Sequence, residues 1–227
     1  PRVPAVVHHG GRAFPPDPGL GRVVAGAGRP FRHFADSYGC IVSGIDLTEE
    51  FVQVANSLTA RCGLADQVSF QQGSALALPF ENAGFDRVTL IHVGMNIEDK
   101  ARLFAEIRRI LKPGGRFGLY EVMQMRDGTL PFPMPWAMEL ETSFVRSPDV
   151  YRGLLEEAGF VVELEQDRSA LAIRLAHEAR AKAAAGGARD QNLRTLMGPR
   201  AGERSGNVNM SVEAGLLAPI EMIARAV

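Results

Sequence analysis

The chain has 227 residues, with 25 Lys+Arg against 26 Asp+Glu and a net charge of −1. That length suits one domain with a sizeable buried core, and the charge balance leaves no basic excess to neutralise a phosphate backbone, so nucleic acid is not the expected partner. No apolar run approaches the ~20 residues that span a bilayer, and no basic start leads into an apolar signal core. The expectation is a cytoplasmic chain without a membrane segment. Two cysteines, Cys40 and Cys62, exclude a disulfide scaffold or thiolate zinc site and are read as core thiols.

Residues 1–20 are turn-rich, around Phe14-Pro15-Pro16-Asp17-Pro18-Gly19, and are read as a loose lead-in. Gly21–Ala25 reads as a first strand ending in the turn Gly26-Ala27-Gly28-Arg29-Pro30. Pro30 suits the first turn of a helix, and Phe31, Phe34 and Ala35 give that helix an apolar side. Cys40–Asp46 reads as a second strand ending in an acid. Thr48 is the expected cap of a second helix, with Glu49 and Glu50 in its first turn; Gly63 stops it. Gln67–Gln71 is a third strand, followed by the loop Gly73-Ser74-Ala75-Leu76-Ala77-Leu78-Pro79-Phe80.

Phe85–Val93 reads as a fourth strand. Asp99–Leu111 has an amphipathic helical pattern, ended by Lys112-Pro113-Gly114-Gly115. Arg116–Val122 is a fifth strand, and a Pro/Met/aromatic stretch, Leu130–Ala137, follows. Ser147-Pro148-Asp149 is a helix start, and Phe160–Glu165 is a sixth strand. From Ser169 to about Gly215 the pattern is helical, broken at Gly186-Gly187. Leu217–Ala224 is a last strand, placed at a sheet edge by Pro219. Alternating strands and helices imply a parallel sheet covered on both faces. The whole of 1–227 is read as a single domain, with 1–20 as lead-in and 169–215 as a helical insertion.

Ligands of an open α/β sheet bind beyond the carboxyl ends of its strands. Three loops meet that condition. Gly26-Ala27-Gly28 lets backbone approach a ligand at a helix N-terminus, although Phe31 stands where a dinucleotide motif has its third glycine. Asp46 follows about 20 residues on, the spacing at which an acid meets a ribose diol. The alternative for Asp46 is a turn that opens the Thr48 cap. The small residues of Gly73-Ser74-Ala75 leave room for a flat base, or form a plain loop.

Together with Gly44-Ile45-Asp46, Leu78-Pro79-Phe80, Phe85-Asp86-Arg87-Val88 and Arg109-Ile110-Leu111-Lys112-Pro113-Gly114-Gly115-Arg116, these loops resemble class I S-adenosylmethionine-dependent methyltransferases. The resemblance is to the small-molecule subgroup of ubiquinone/menaquinone and sarcosine/dimethylglycine methyltransferases, over residues 21–166 and the last strand. It implies a Rossmann-like three-layer α/β/α sandwich whose mostly parallel seven-stranded sheet has an antiparallel last strand. It implies S-adenosyl-L-methionine as cofactor, with Gly26, Ala27 and Gly28 at its methionine end and Asp46 on the ribose. Leu47 would flank the adenine, and Ser74 and Ala75 would sit at its edge. His92 would line the transfer pocket as cofactor contact and catalytic base. The implied reaction is in-line methyl transfer to a small-molecule acceptor.

The first strand departs from the family in ending without an acid, in a glycine turn one residue short. Only residues 1–20 stand where the family carries closing helices. These departures keep a non-catalytic homologue open beside the methyltransferase, and an NAD(P)-dependent oxidoreductase remains the third reading. His92 has the ordinary alternative of a satisfied, half-buried histidine. Asn96 is either an acceptor contact or a helix cap. Phe132, Met134 and Trp136 either wall an acceptor pocket or simply pack. The Ala-rich helix from Ala176 is a lid or a homodimer contact. His8 and His9 form no metal-ligand pattern.

Overall fold

The structure, a computed structural model, describes residues 22–26, 29–185 and 198–227. Ala27 and Gly28 of the glycine turn, the lead-in 1–20 and the break at Gly186-Gly187 lie outside the described residues.

Among the described residues seven strands form one sheet: β1 (Arg22–Gly26), β2 (Ile41–Asp46), β3 (Val68–Gln72), β4 (Phe85–Ile91), β5 (Leu111–Gln124), β6 (Phe160–Asp167) and β7 (Leu217–Ala226). Their order is β3-β2-β1-β4-β5-β7-β6. The first five are parallel to one another, whereas β7 runs antiparallel to both β5 and β6. Among the described residues six α-helices connect them: α1 (Arg29–Tyr38), α2 (Glu49–Arg61), α3 (Lys100–Ile110), α4 (Pro148–Glu157), α5 (Ser169–Ala184) and α6 (Ala201–Glu213). The expected Rossmann-like architecture is present, including the helical insertion before the antiparallel last strand.

Side chains alternate across a strand, so β5 serves two interiors. Phe117, Leu119 and Met123 pack with Phe104 of α3 and Tyr151 of α4 in the main core. Val122, on the other face, joins Met134, Trp136 and Val212 in a second cluster beside the insertion. A third, under α1 and α2, contains Phe31 packed edge-on to Phe70 at 6.1 Å. Phe31 therefore fills the helix-to-sheet contact that a third glycine would leave open.

Several expectations need correction. Cys40 is buried but Cys62 is exposed, because Cys62 follows the last turn of α2, just ahead of Gly63 at φ +70°. Pro219 does not mark an edge, since β7 lies between β5 and β6. The missing N–H is tolerated for another reason. The last β6 pair is Asp167 with Ile220, and the Pro219 carbonyl faces that side, accepting from Arg168 N at 2.8 Å. In an antiparallel strand a residue's N–H and C=O point the same way, so Pro219 nitrogen faces a position where β6 has ended.

Lys112–Gly115 is not only a turn. β5 already pairs at Leu111 opposite Phe85, then slips register and resumes at Arg116 opposite Arg87. Gly115 permits this fold-back, because a Cβ there would lie 2.8 Å from Lys112 O and 2.9 Å from Leu111 Cδ2. Thr48 occupies the cap position of α2 without a side-chain cap bond. Asn96 does not cap α3. Asp99 does, its carboxylate accepting from Arg102 N at 2.9 Å.

Candidate functional site at the carboxyl edge of the sheet

Strand register brings the predicted residues to one edge. Gly26 pairs with Ile45, the residue before Asp46, and Asp46 pairs with Gln72. Val24 pairs with Val88, so the end of β4 emerges beside the end of β1. The parallel order fixes this: every β1–β4 strand points its carboxyl end the same way.

Asp46 is half-buried, and its Oδ1 accepts from Thr48 N at 2.9 Å. That is the turn anticipated as the ordinary alternative, and it uses one oxygen. Among the described residues Oδ2 has no hydrogen-bond partner, which leaves it able to accept hydroxyl protons. Leu47, directly after it, is 53% exposed. An apolar side chain this open beside an acid can cover the face of a ring.

The loop after β3 is held on both sides. Gly73 N donates to Asp46 O at 3.0 Å, and Gln72 Nε2 donates to Leu47 O at 3.0 Å. Ser74 Oγ accepts from Leu76 N at 3.2 Å, and Ser74 bridges Ala77. From below, α3 reaches up: Glu106 Oε2 accepts from Leu78 N at 2.8 Å, while Arg109 donates to Leu78 O at 2.8 Å, Phe80 O at 2.7 Å and Asn82 Oδ1 at 2.9 Å. Arg109 also binds Glu106 directly at 2.8 Å. The hydrogen bond from Arg109 holds the Glu106 carboxyl below its ordinary pKa, opposed by burial. Ser74 and Ala75 are thus placed by a clamp. Sequence reading quoted Arg109 in a motif but missed Glu106; an acid on the inward side of an amphipathic helix was the available signal.

His92 closes β4. Its φ of +53° puts a non-glycine residue in the left-handed region, a conformation that costs on the order of 1–3 kcal/mol and collects at functional sites. The backbone is held there by His92 N donating to Tyr120 O at 2.9 Å, and the rings of His92 and Tyr120 meet edge-on at 5.0 Å. Burial raises the Tyr120 phenol pKa. Beside Tyr120 in register stands Glu221, buried and bound through Oε2 by Arg168 Nε at 2.8 Å. Asn96 is exposed a turn beyond His92, with Nδ2 donating to Val93 O at 3.3 Å.

The aromatic stretch divides. Met134 is fully buried, and Trp136 is buried with Nε1 donating to Ser143 Oγ at 2.9 Å; both are packing. Phe132 instead lines a cavity of about 410 Å³ with Gln124, Leu130, Leu140, Val145 and Arg146. No group of His, Cys, Asp and Glu among the described residues is arranged to hold a metal. No helix among them is long and apolar enough to cross a membrane.

Residues 22–119 match the family described as "Methyltransferase domain". The chain is 31% identical over 153 residues to the sterol 24-C-methyltransferase of Eremothecium gossypii, covering 65% of this chain and 41% of that protein. It spans between 26% and 54% of such curated relatives. In fold it resembles the geranyl diphosphate C-methyltransferase of Streptomyces coelicolor, solved with Mg²⁺, geranyl diphosphate and S-adenosyl-L-homocysteine (TM-score 0.73, 18% identity, 92% of this chain and 72% of that one). It also resembles the [4+2]-cyclase SpnF (TM-score 0.70, 22% identity, 92% of this chain and 74% of that one).

Proposed function

We propose, from a chain whose residues 22–119 match the methyltransferase-domain family, that it binds S-adenosyl-L-methionine and transfers the methyl group to a small-molecule acceptor. The observation that carries this reading is Asp46. It ends β2 with one carboxylate oxygen committed to the Thr48 turn and the other available, next to the exposed Leu47.

The residues present fit the nucleoside end of that cofactor. The available oxygen of Asp46 accepts from the ribose hydroxyls, Leu47 covers one adenine face, and Ser74 and Ala75 border its edge. Gly26 marks the methionine end, with Ala27 and Gly28 assigned there by family resemblance. When bound, the cofactor supplies a sulfonium methyl open to in-line displacement. What remains for the protein is to hold the acceptor close, aligned and dry. Where the acceptor carries a proton, His92 at the end of β4 is the candidate base.

The acceptor side is read among residues 125–147, beyond the family match, and Phe132 with its cavity supports an apolar acceptor there. Further parts of the reading are a cytoplasmic protein, a homodimer contact on α5, and no nucleic-acid partner. The net charge of −1 supports the last.

Fold likeness alone does not settle the reaction, because one neighbour is a cyclase. Calorimetric titration with S-adenosylhomocysteine and with NAD separates the readings. Saturable binding of the first alone is expected. Binding of NAD alone would replace the reading with an oxidoreductase, and binding of neither would favour a non-catalytic homologue.

A further inference from the structure

Directly beneath the loop that carries His92 lies a buried cluster unused by the reading above. Glu121, in the second half of β5, has no exposed surface, and its Oε1 accepts from Val93 N and Gly94 N, both at 3.0 Å. Lys100, the first residue of α3, is 3% exposed and donates through Nζ to Gly94 O at 2.9 Å, Ile97 O at 2.8 Å and Phe144 O at 2.7 Å. Its ammonium also stands 5.4 Å from the centroid of the buried Tyr151 ring. Gly94 sits in the middle: a Cβ there would lie 2.8 Å from Tyr151 Oη and 3.3 Å from Glu121 Cδ. Glu121 Oε2 and Tyr151 Oη have no hydrogen-bond partner among the described residues.

A core built for stability alone would place an apolar residue at this position, as Leu119 and Met123 are placed on the same face of β5. A buried acid with one oxygen unpaired is costly. What the acid provides is direction. Two consecutive amides converge on one oxygen immediately after the left-handed His92, and Lys100 gathers two carbonyls of the same loop with that of Phe144. Phe144 N in turn donates to Met95 O at 2.9 Å. The acid takes the loop's donors and the cation takes its acceptors.

We infer that Glu121 is a positioning residue of the methyl-transfer site, its carboxylate and the Lys100 ammonium together holding the Val93–Ile97 backbone from below so that His92 and Asn96 face the mouth. This rests on the function proposed above. The charge on the clamp changes in the neutral range. Burial pushes the Glu121 carboxyl up to about 7 against the Gly94 and Val93 amides and Lys100, and burial pushes Lys100 down to about 8. The groups facing the carboxyl are Lys100 from α3 and Tyr151 from α4, and Arg146, ahead of α4, acts on both of these. A carboxylate accepts from an amide more strongly than the neutral acid does.

The test is ¹⁵N NMR of the full chain across neutral pH, with S-adenosylhomocysteine titrated into the same samples. The Val93 and Gly94 amides should shift together with a midpoint near 7, and the His92 amide of the S-adenosylhomocysteine-saturated protein should follow. In Glu121→Gln the midpoint should vanish and exchange of both amides should speed about tenfold or more, as loss of a charged acceptor implies. Amides that do not titrate, or whose exchange is unchanged in Glu121→Gln, overturn the inference. If that variant does not fold, the wild-type titration decides alone. Failure of wild-type protein to bind S-adenosylhomocysteine overturns the function and the role with it, and a normal amide titration beside that failure identifies the function as the part at fault.

Discussion

The His92 N–H donates to Tyr120 O at 2.9 Å while the two rings meet edge-on at 5.0 Å, so the last residue before the β4 loop is fastened to β5 by both backbone and side chain. This double contact maintains a left-handed histidine at the carboxyl edge of the sheet. Asn tolerates that backbone region and a β-branched residue does not. His92→Asn should therefore keep stability within about 1 kcal/mol of wild type, whereas His92→Val should lose about 1–3 kcal/mol. Urea denaturation of the two variants checks the difference, and equal losses would show that the φ of +53° is not the constraint.

Asp46 is expected to act in binding rather than folding. Asp46→Ala should weaken S-adenosylhomocysteine binding by roughly ten- to a hundredfold, the range for a charged hydrogen bond. Its thermal midpoint should fall only slightly, because the Thr48 turn is partly exposed. Calorimetry beside a melting curve reads both, and a large loss of stability with unchanged affinity would return Asp46 to a purely local turn.

The clamp on the loop after β3 predicts a specific asymmetry. Arg109 binds three acceptors of the loop and Glu106 at once, a pattern that lysine cannot copy. Arg109→Lys should lose about 1–3 kcal/mol and loosen residues 73–82 in hydrogen exchange. Glu106 adds a pH term of known sign. Its folded pKa is lowered below 4.5, so its contribution is present above that value and is lost as pH falls through the lowered one. In Glu106→Gln the acid limb of stability should flatten.

The buried pair beneath the His92 loop gives the opposite slopes. With a raised folded pKa, Glu121 binds its proton more tightly when folded, so its contribution is full below 4.5 and is lost as pH rises to about 7. Lys100, lowered to about 8 from 10.5, adds stability as pH rises through that interval. Stability against pH should dip between the two, and Glu121→Gln should remove its falling limb.

Gly94 should tolerate no side chain. Alanine there would push into Tyr151 Oη and the Glu121 carboxyl, and Gly94→Ala is expected to lose about 1–3 kcal/mol by overpacking. Denaturant midpoints for Gly94→Ala and, as a control, Gly153→Ala on open helix surface measure it.

Much of the architecture was readable because strand and helix periods are local. The capped start at Ser147 is one case, with Val150 N donating to Ser147 Oγ at 3.4 Å. The parallel sheet followed from the alternation of strands and helices, and the antiparallel last strand came with the family resemblance. What was not readable depends on partners distant in sequence. Pro219 looked like an edge residue because the end of β6 cannot be seen from the β7 sequence. Trp136 and Met134 stayed between pocket wall and packing because their burial depends on α6, some 70 residues away, where Arg204 Nε binds Met134 O at 2.9 Å. Glu121 stood in plain view in Leu-Tyr-Glu-Val-Met. Its use required knowing that Lys100 and the Val93–Gly94 amides come under the same strand.

The most direct measurement of the central claim is an amide chemical-shift map on addition of S-adenosylhomocysteine. The account predicts saturable shifts at Asp46, Leu47, Ser74, Ala75 and His92, the carboxyl edge of β2, β3 and β4. Shifts confined to the Phe132–Arg146 cavity, or none, would contradict it.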